Sequence, residues 1–234
     1  MLCYTLSDDL NIEILEAALL FFGGDLLRYP GFVIGVLVAA LIGMTVHEFA
    51  HNYIAYRMGD PNPKRQGRLT LDPSVHIYWP GFIMFVLVGF GILGTAPISA
   101  SRMRNPRWGY FAAVAAGPIS NLLLAIVFGI AYRIVEPNYF TQPDLYFFMW
   151  ALVAFNALLF LFNLLPLFPL DGWHMVFTAL PYEQARWWQR HAMTTQYIFL
   201  GLILLSFFPL GRFDPLGMLI GEPHSALMRI LLGW

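Results

Sequence analysis

Long uncharged apolar runs alternate with short polar breaks along this chain. From Gly31 to Val46 there is no charge, and a helical pattern continues to about Met58, where Gly59-Asp60-Pro61 stops it. A polar, basic stretch with Lys64, Arg65 and Arg68 follows. Residues 77–95 are apolar again but are interrupted by Pro80, Gly81, Gly89, Gly91 and Gly94, and their section FIMFVLVGF is aromatic and β-branched. Residues 109–134 predict a helix and residues 136–144 (EPNYFTQPD) a turn-rich loop. A third long helix is predicted over 145–165, ending in NLLPLFPLDG, and a last short one over 194–210, after a polar, basic stretch at 182–191. Residues 12–27, broken by Gly23, Gly24 and Asp25, predict an interfacial or short membrane helix. The mixed tail from Gly211 predicts a surface segment.

Composition turns this pattern into a fold class. Of 234 residues, 59% are hydrophobic and 12% are charged, against roughly 25% charged in a soluble globular domain. The expectation is an all-α polytopic membrane protein of about four to six transmembrane helices. It is read as one domain over 1–234: an N-terminal segment (1–28), a core (31–175) and a C-terminal helix and tail (176–234). A net charge of −1 argues against nucleic-acid binding, and the single cysteine, Cys3, excludes an intramolecular disulfide or a CxxC metal site. Residues 1–16 hold four acids and no Lys or Arg, the wrong start for a cleavable signal peptide.

The basic residues orient the chain. Nine of the 13 Lys and Arg fall in three segments: Arg57–Arg68, Arg102–Arg107 and Arg186–Arg190. All three are expected on the cytoplasmic side. The first two flank the apolar stretch 77–95, so a single crossing there would put its basic flanks on opposite sides. A re-entrant, β-like hairpin removes the conflict, and irregular backbone at membrane depth is tolerated where it lines a wet cavity.

At the end of the first apolar run stands HEFAH, residues 47–51. His47 and His51 are four residues apart and share one helical face. Two imidazoles at that spacing can hold one zinc ion, with Glu48 placed to take a proton from water. Ionisable groups in a membrane segment are costly and usually functional. A hydrolytic zinc site wants three protein ligands and one open position. Candidates for the third are Asp72, His76, Asp171 and His174. Asp171 leads, because Pro166 and Pro169 bend the chain before it and Gly172 lets the backbone pass close to another element. The bland alternative for Asp171 is an N-cap of the helix that follows.

Taken together, HEFAH, GDPNPKRQGRLTLDPSVH (59–76), NPRWG (105–109), AGPISN (116–121) and NLLPLFPLDG (163–172) resemble the site-2 protease family of intramembrane zinc metalloproteases, in its compact bacterial branch without a PDZ domain. The resemblance implies one zinc ion per chain, held by His47, His51 and Asp171, with Glu48 as general base and acid. It implies that Asn121 and Asn163 belong to the active-site region, where Asn amides can donate to an oxyanion or to substrate backbone. Interhelical hydrogen bonding is the plainer use of a buried Asn. His76 matches the family's loop histidine, with a substrate-side role but not that of a ligand. The implied partners are transmembrane-helix substrates within the lipid bilayer, and the implied location is the bacterial cytoplasmic membrane, with the site towards the cytoplasm. The chain departs from the family pattern at Asp72, where Asn is common, and at Trp173-His174, where Gly-Arg is common. Two rival readings are a zinc-binding membrane protein that does not cut and a metal transporter. Transport would want acidic or His residues along the other spans, and 109–134 and 194–210 contain none.

Overall fold

The computed structural model describes residues 29–89, 91, 93–207 and 214–233. The expected interfacial helix at 12–27 lies outside these residues. The first described helix, α1 (Pro30–Arg57), starts on Pro30, whose missing N–H costs nothing in a first turn. At about 1.5 Å per residue, 28 residues exceed the roughly 30 Å of a bilayer's hydrocarbon core. Residues 79–88 form α2 (Trp79–Val88). Then come α3 (Pro106–Val135), α4 (Pro143–Asn163), the short α5 (Asp171–Ala179) and α6 (Tyr182–Arg190), and finally α7 (Ala192–Phe207) and α8 (Pro215–Leu232). No strand occurs among the described residues.

The protein is an all-α polytopic membrane protein. Three of the described helices, α1, α3 and α4, are long and apolar enough to span, with mean hydropathies of 2.0, 2.1 and 2.2. Among the described residues, α7 is apolar but shorter, and the expected span over 77–95 is interrupted. The three long helices pack mutually and form the core. Their contacts run through small residues: Ala39, Ala40, Ala125, Ala151 and Ala157 are all buried. Small side chains let backbones approach where lipid gives no hydrophobic drive between helices. The start of α1 is tied down by α4, since Gly31 N–H donates to Asp144 Oδ1 at 3.0 Å.

The segment 77–95 does fold back on itself, as the charge pattern requires, but not as a β-hairpin. Its outgoing limb is α2, and Gly89 in the left-handed region (φ 78°) ends that helix. The return limb meets the start through one antiparallel bridge, Ile77 with Gly94, and through Tyr78 N–H donating to Leu93 O at 2.9 Å. The β-like character is therefore confined to the base. Aromatic and β-branched composition suggested strands, yet an apolar ten-residue stretch satisfies its own backbone best as a helix.

The tail also departs from expectation. It is no surface segment but a helix, α8, packed on α3 and α4. Leu216, Ile220, His224, Met228 and Leu232 are buried at a spacing of four, a helical stripe. His224 reaches Ala154 O at 3.0 Å, and Arg133 Nε donates to Leu231 O at 2.8 Å, closing the helix's end. At the other end of the bundle the basic segments meet. Arg102 bonds Asn62, Arg104 N–H donates to Met58 O, and Arg107 bonds the end of α5, which leads into α6 with Arg186 and Arg190.

Candidate metal centre

His47, Glu48 and His51 sit on the inner face of α1 near its C-terminal end, each at most 4% exposed. Asp171 is the first residue of α5, delivered by the bent segment after α4. Leu170, not Asp171, occupies the cap position of α5, and no side chain caps that end. The N-cap reading of Asp171 therefore falls.

The three side chains converge. His47 Nε2 and His51 Nε2 are 2.9 Å apart, and Asp171 Oδ2 lies 3.1 Å from the first and 3.3 Å from the second. The outer nitrogens fix the chemistry of the inner ones. His51 Nδ1–H donates to Ala113 O at 2.8 Å, and His47 Nδ1–H donates to Asn121 Oδ1 at 2.6 Å. Asn121 cannot be turned round, because its Nδ2 donates to Gly43 O at 3.1 Å and to Asn156 Oδ1 at 3.2 Å. Both rings thus carry their proton on Nδ1 and aim the Nε2 lone pair inward. Two imidazole nitrogens and a carboxylate oxygen thus meet at 2.9–3.3 Å, a cluster that needs a cation among them, a proton or a metal ion.

The donor set fits zinc. Among the described residues, His47, His51 and Asp171 form one group whose ligand atoms all lie within 4.8 Å of one another. A tetrahedral zinc with bonds of about 2.0–2.1 Å spaces its ligand atoms about 3.3 Å apart, close to the separations seen. Asp171 Oδ2 is buried and makes no hydrogen bond among the described residues, which is the state of an oxygen built for a metal. The fixed Nδ1–H partners are the outer contacts that hold metal-binding imidazoles in place.

α3 supplies those contacts because its backbone comes very close. A Cβ on Gly117 would stand 2.7 Å from His47 Cε1 and closer still to His51 Nε2. Pro118, next in sequence, removes the helix bond to Val114 O and loosens this turn. The neighbouring carbonyl, Ala113 O, is the one that takes His51.

A cavity of about 470 Å³ opens on the centre. Glu48 lines it, and Glu48 Oε2 is buried with no hydrogen-bond partner among the described residues. The return limb of the 77–95 segment forms one wall through Leu93, Gly94, Thr95 and Ala96. Arg68, in the basic loop, holds that wall by donating to Thr95 O at 2.7 Å.

The remaining candidates separate. Asn163 lines the cavity and donates to Leu159 O at 2.9 Å, leaving its second N–H and its oxygen for other partners. Asn121 lies wholly buried, with both ends of its amide engaged, so it orients His47 and does not face the cavity. His76 does not line the cavity. It is 2% exposed, bonds Thr70 O at 2.7 Å and packs edge-on against Phe49, so the loop histidine braces the outer side of α1. Asp72 is exposed and accepts from Ser74 N–H at 2.9 Å. His174 does line the cavity, one turn beyond Asp171, with Nδ1 3.2 Å from Tyr110 Oη. Tyr110 also lines it, and no motif in the sequence marked it as a site residue. Only its place one turn before Ala113 on α3 gave a hint.

No family model matches the chain, and no solved structure matches it. Curated relatives do match, and three of them, each named a putative zinc metalloprotease, show the likeness. YwhC of Bacillus subtilis is 37% identical over 196 residues, 80% of this chain and 87% of the relative. Rip2 of Mycobacterium tuberculosis is 30% identical over 178 residues, 70% of this chain and 65% of the relative. MJ0611 of Methanocaldococcus jannaschii is 30% identical over 175 residues, 70% of this chain and 79% of the relative. The match to YwhC covers most of both chains, and the His47, His51 and Asp171 cluster fits zinc. The chain therefore belongs to the family its motifs resemble, the site-2 protease family of zinc metalloproteases.

Proposed function

We propose that the protein is an intramembrane protease that cuts other membrane proteins within or beside their transmembrane helices. The carrying observation is the place of the centre: two imidazoles and a carboxylate converge beside Glu48 on a helix of mean hydropathy 2.0. A protease for soluble substrates has no reason to bury its ionisable groups in an apolar span.

Zinc bound by His47, His51 and Asp171 would supply Lewis acidity, lowering the pKa of water and polarising the scissile carbonyl. The chain's own residues do the rest. Glu48 accepts the proton of the attacking water and passes it to the leaving amine, so one carboxylate serves as base and then as acid. Its unpartnered Oε2 suits that role. Asn163, with a donor to spare at the cavity wall, binds the oxyanion or the substrate backbone.

A helical substrate keeps its amides internally bonded and must unwind to be cut. The extended limb 93–96 beside Glu48 gives an unwound segment a backbone to pair with. The basic segments gathered at the metal-centre end of the bundle support a cytoplasmic site in a bacterial cytoplasmic membrane.

The test is to compare membrane-protein fragments in cells that carry the wild-type protein and cells that carry Glu48→Gln. Fragments cut inside predicted transmembrane helices, present only with the wild type, are expected. Identical fragment sets would refute the reading.

A further inference from the structure

Arg107 stands in the first turn of α3, and its guanidinium reaches the far end of α5. Nε donates to Thr178 O at 2.8 Å, and Nη2 donates to Ala179 O at 2.9 Å and to Leu180 O at 3.0 Å. Thr178 and Ala179 end α5 and Leu180 follows it, so these are carbonyls a helix leaves without internal partners. A cation there also meets the negative end of the helix dipole.

α5 has nine residues and begins with Asp171. So short a helix does not hold itself in water or out of it, and its neighbours must fix both ends. The first end is seated tightly, since a Cβ on Gly172 would collide with the carbonyls of Leu164 and Leu165 at the end of α4. Arg107 fixes the second. A positive charge that only marked the cytoplasmic face would need no such geometry, and lysine would serve as well. Here one planar fork serves three carbonyls in a row.

We propose that Arg107 is a positioning residue for the third zinc ligand. By pinning the end of α5 to α3, it sets where the Asp171 carboxylate stands opposite the two histidines. One helix then aligns all three ligands: Asn121 holds His47, Ala113 O holds His51, and Arg107 holds the helix that carries Asp171. The inference rests on the ligand set proposed above.

The experiment uses the full chain in detergent and zinc alone, with affinity read by competition against a chelator of known strength. Arg107→Ala should weaken zinc binding about 10–100-fold, the usual range for losing a group that orients a ligand, and Arg107→Lys should fall between it and the wild type. In an Asp171→Ala background, Arg107→Ala should cost nothing further, because the ligand it positions is gone. Unchanged affinity in Arg107→Ala, or an equal loss in the Asp171→Ala background, would overturn the proposal. If Arg107→Ala does not fold, Arg107→Lys and Arg107→Gln carry the same comparison. His47→Ala in the same assay separates the two claims: if it binds zinc like the wild type, the ligand set itself fails, and if it loses zinc while Arg107→Ala does not, only the positioning role fails.

Discussion

The backbone of Gly117 packs directly on the imidazole of His51. A Cβ at 117 would overlap Nε2 of that ring and stand 2.7 Å from Cε1 of His47. Gly117→Ala should therefore push both ligands off their lone-pair geometry. The expected outcome is a fall in zinc affinity on the order of 10–100-fold, measured by chelator competition. A helix normally gains from Gly→Ala, by roughly 0.5–1 kcal/mol. A loss of zinc in a variant that still folds would thus report the contact and not the helix.

Gly94 makes the matching contact with the base. A Cβ there would lie 2.6 Å from Glu48 Oε1 and 2.7 Å from Glu48 Cγ. Gly94→Ala is expected to displace Glu48 and leave the three ligands alone. Zinc stoichiometry should stay at one per chain while turnover falls about 100-fold or more, the scale of a lost general base. Measuring metal content and rate on one preparation checks both halves.

Asn121 Oδ1, fully buried, accepts a hydrogen bond from His47 Nδ1–H at 2.6 Å. Asn121→Leu removes that acceptor and leaves an unpaired ring N–H, so zinc affinity should drop roughly tenfold or more. Asn121→Asp keeps an acceptor at the same place and should retain more metal than Asn121→Leu. The reverse order would show that the His47 bond is not what matters at this position.

Much of this site is legible in the sequence. The spacing of HEFAH puts His47 and His51 on one face, and the Pro–Pro–Asp–Gly break marks Asp171 as a carboxylate delivered from a bend. The three long helices follow from uncharged runs, with ends within about three residues of those observed. What stayed hidden depends on distance between segments. GPISN drew attention to Asn121, but nothing local says that Gly117 is there because two imidazoles lie against it. Arg107 read as a topology charge because its partners lie some 70 residues away. The stripe at 216, 220, 224, 228 and 232 was readable at a spacing of four, yet its glycine, proline and histidine diluted the apolar signal. The limb 79–88 misled for a different reason: β-branched and aromatic residues favour strands only where partner strands exist.

His76 offers a check through pH. Burial lowers its pKa below the usual 6.5, and its buried Nδ1 makes no hydrogen bond among the described residues. The fold thus prefers the neutral ring, while the unfolded chain takes up a proton near pH 6.5. This contribution to stability is full above pH 6.5 and is lost as pH falls through the folded value. His76→Gln removes that titration, so its midpoint temperature should fall less between pH 7.5 and pH 5.5 than that of the wild type. Thermal unfolding of both proteins at the two pH values gives the comparison.

In the proposed reaction, zinc held by His47, His51 and Asp171 works with Glu48 to cut a membrane helix. The most direct measurement follows cleavage of a purified single-span reporter in liposomes by the wild type and by Glu48→Gln, with zinc content determined on the same samples. One zinc per chain is expected in both proteins, with cleavage within the span by the wild type and none by Glu48→Gln. Undiminished cleavage by a zinc-loaded Glu48→Gln protein would contradict the proposed reaction.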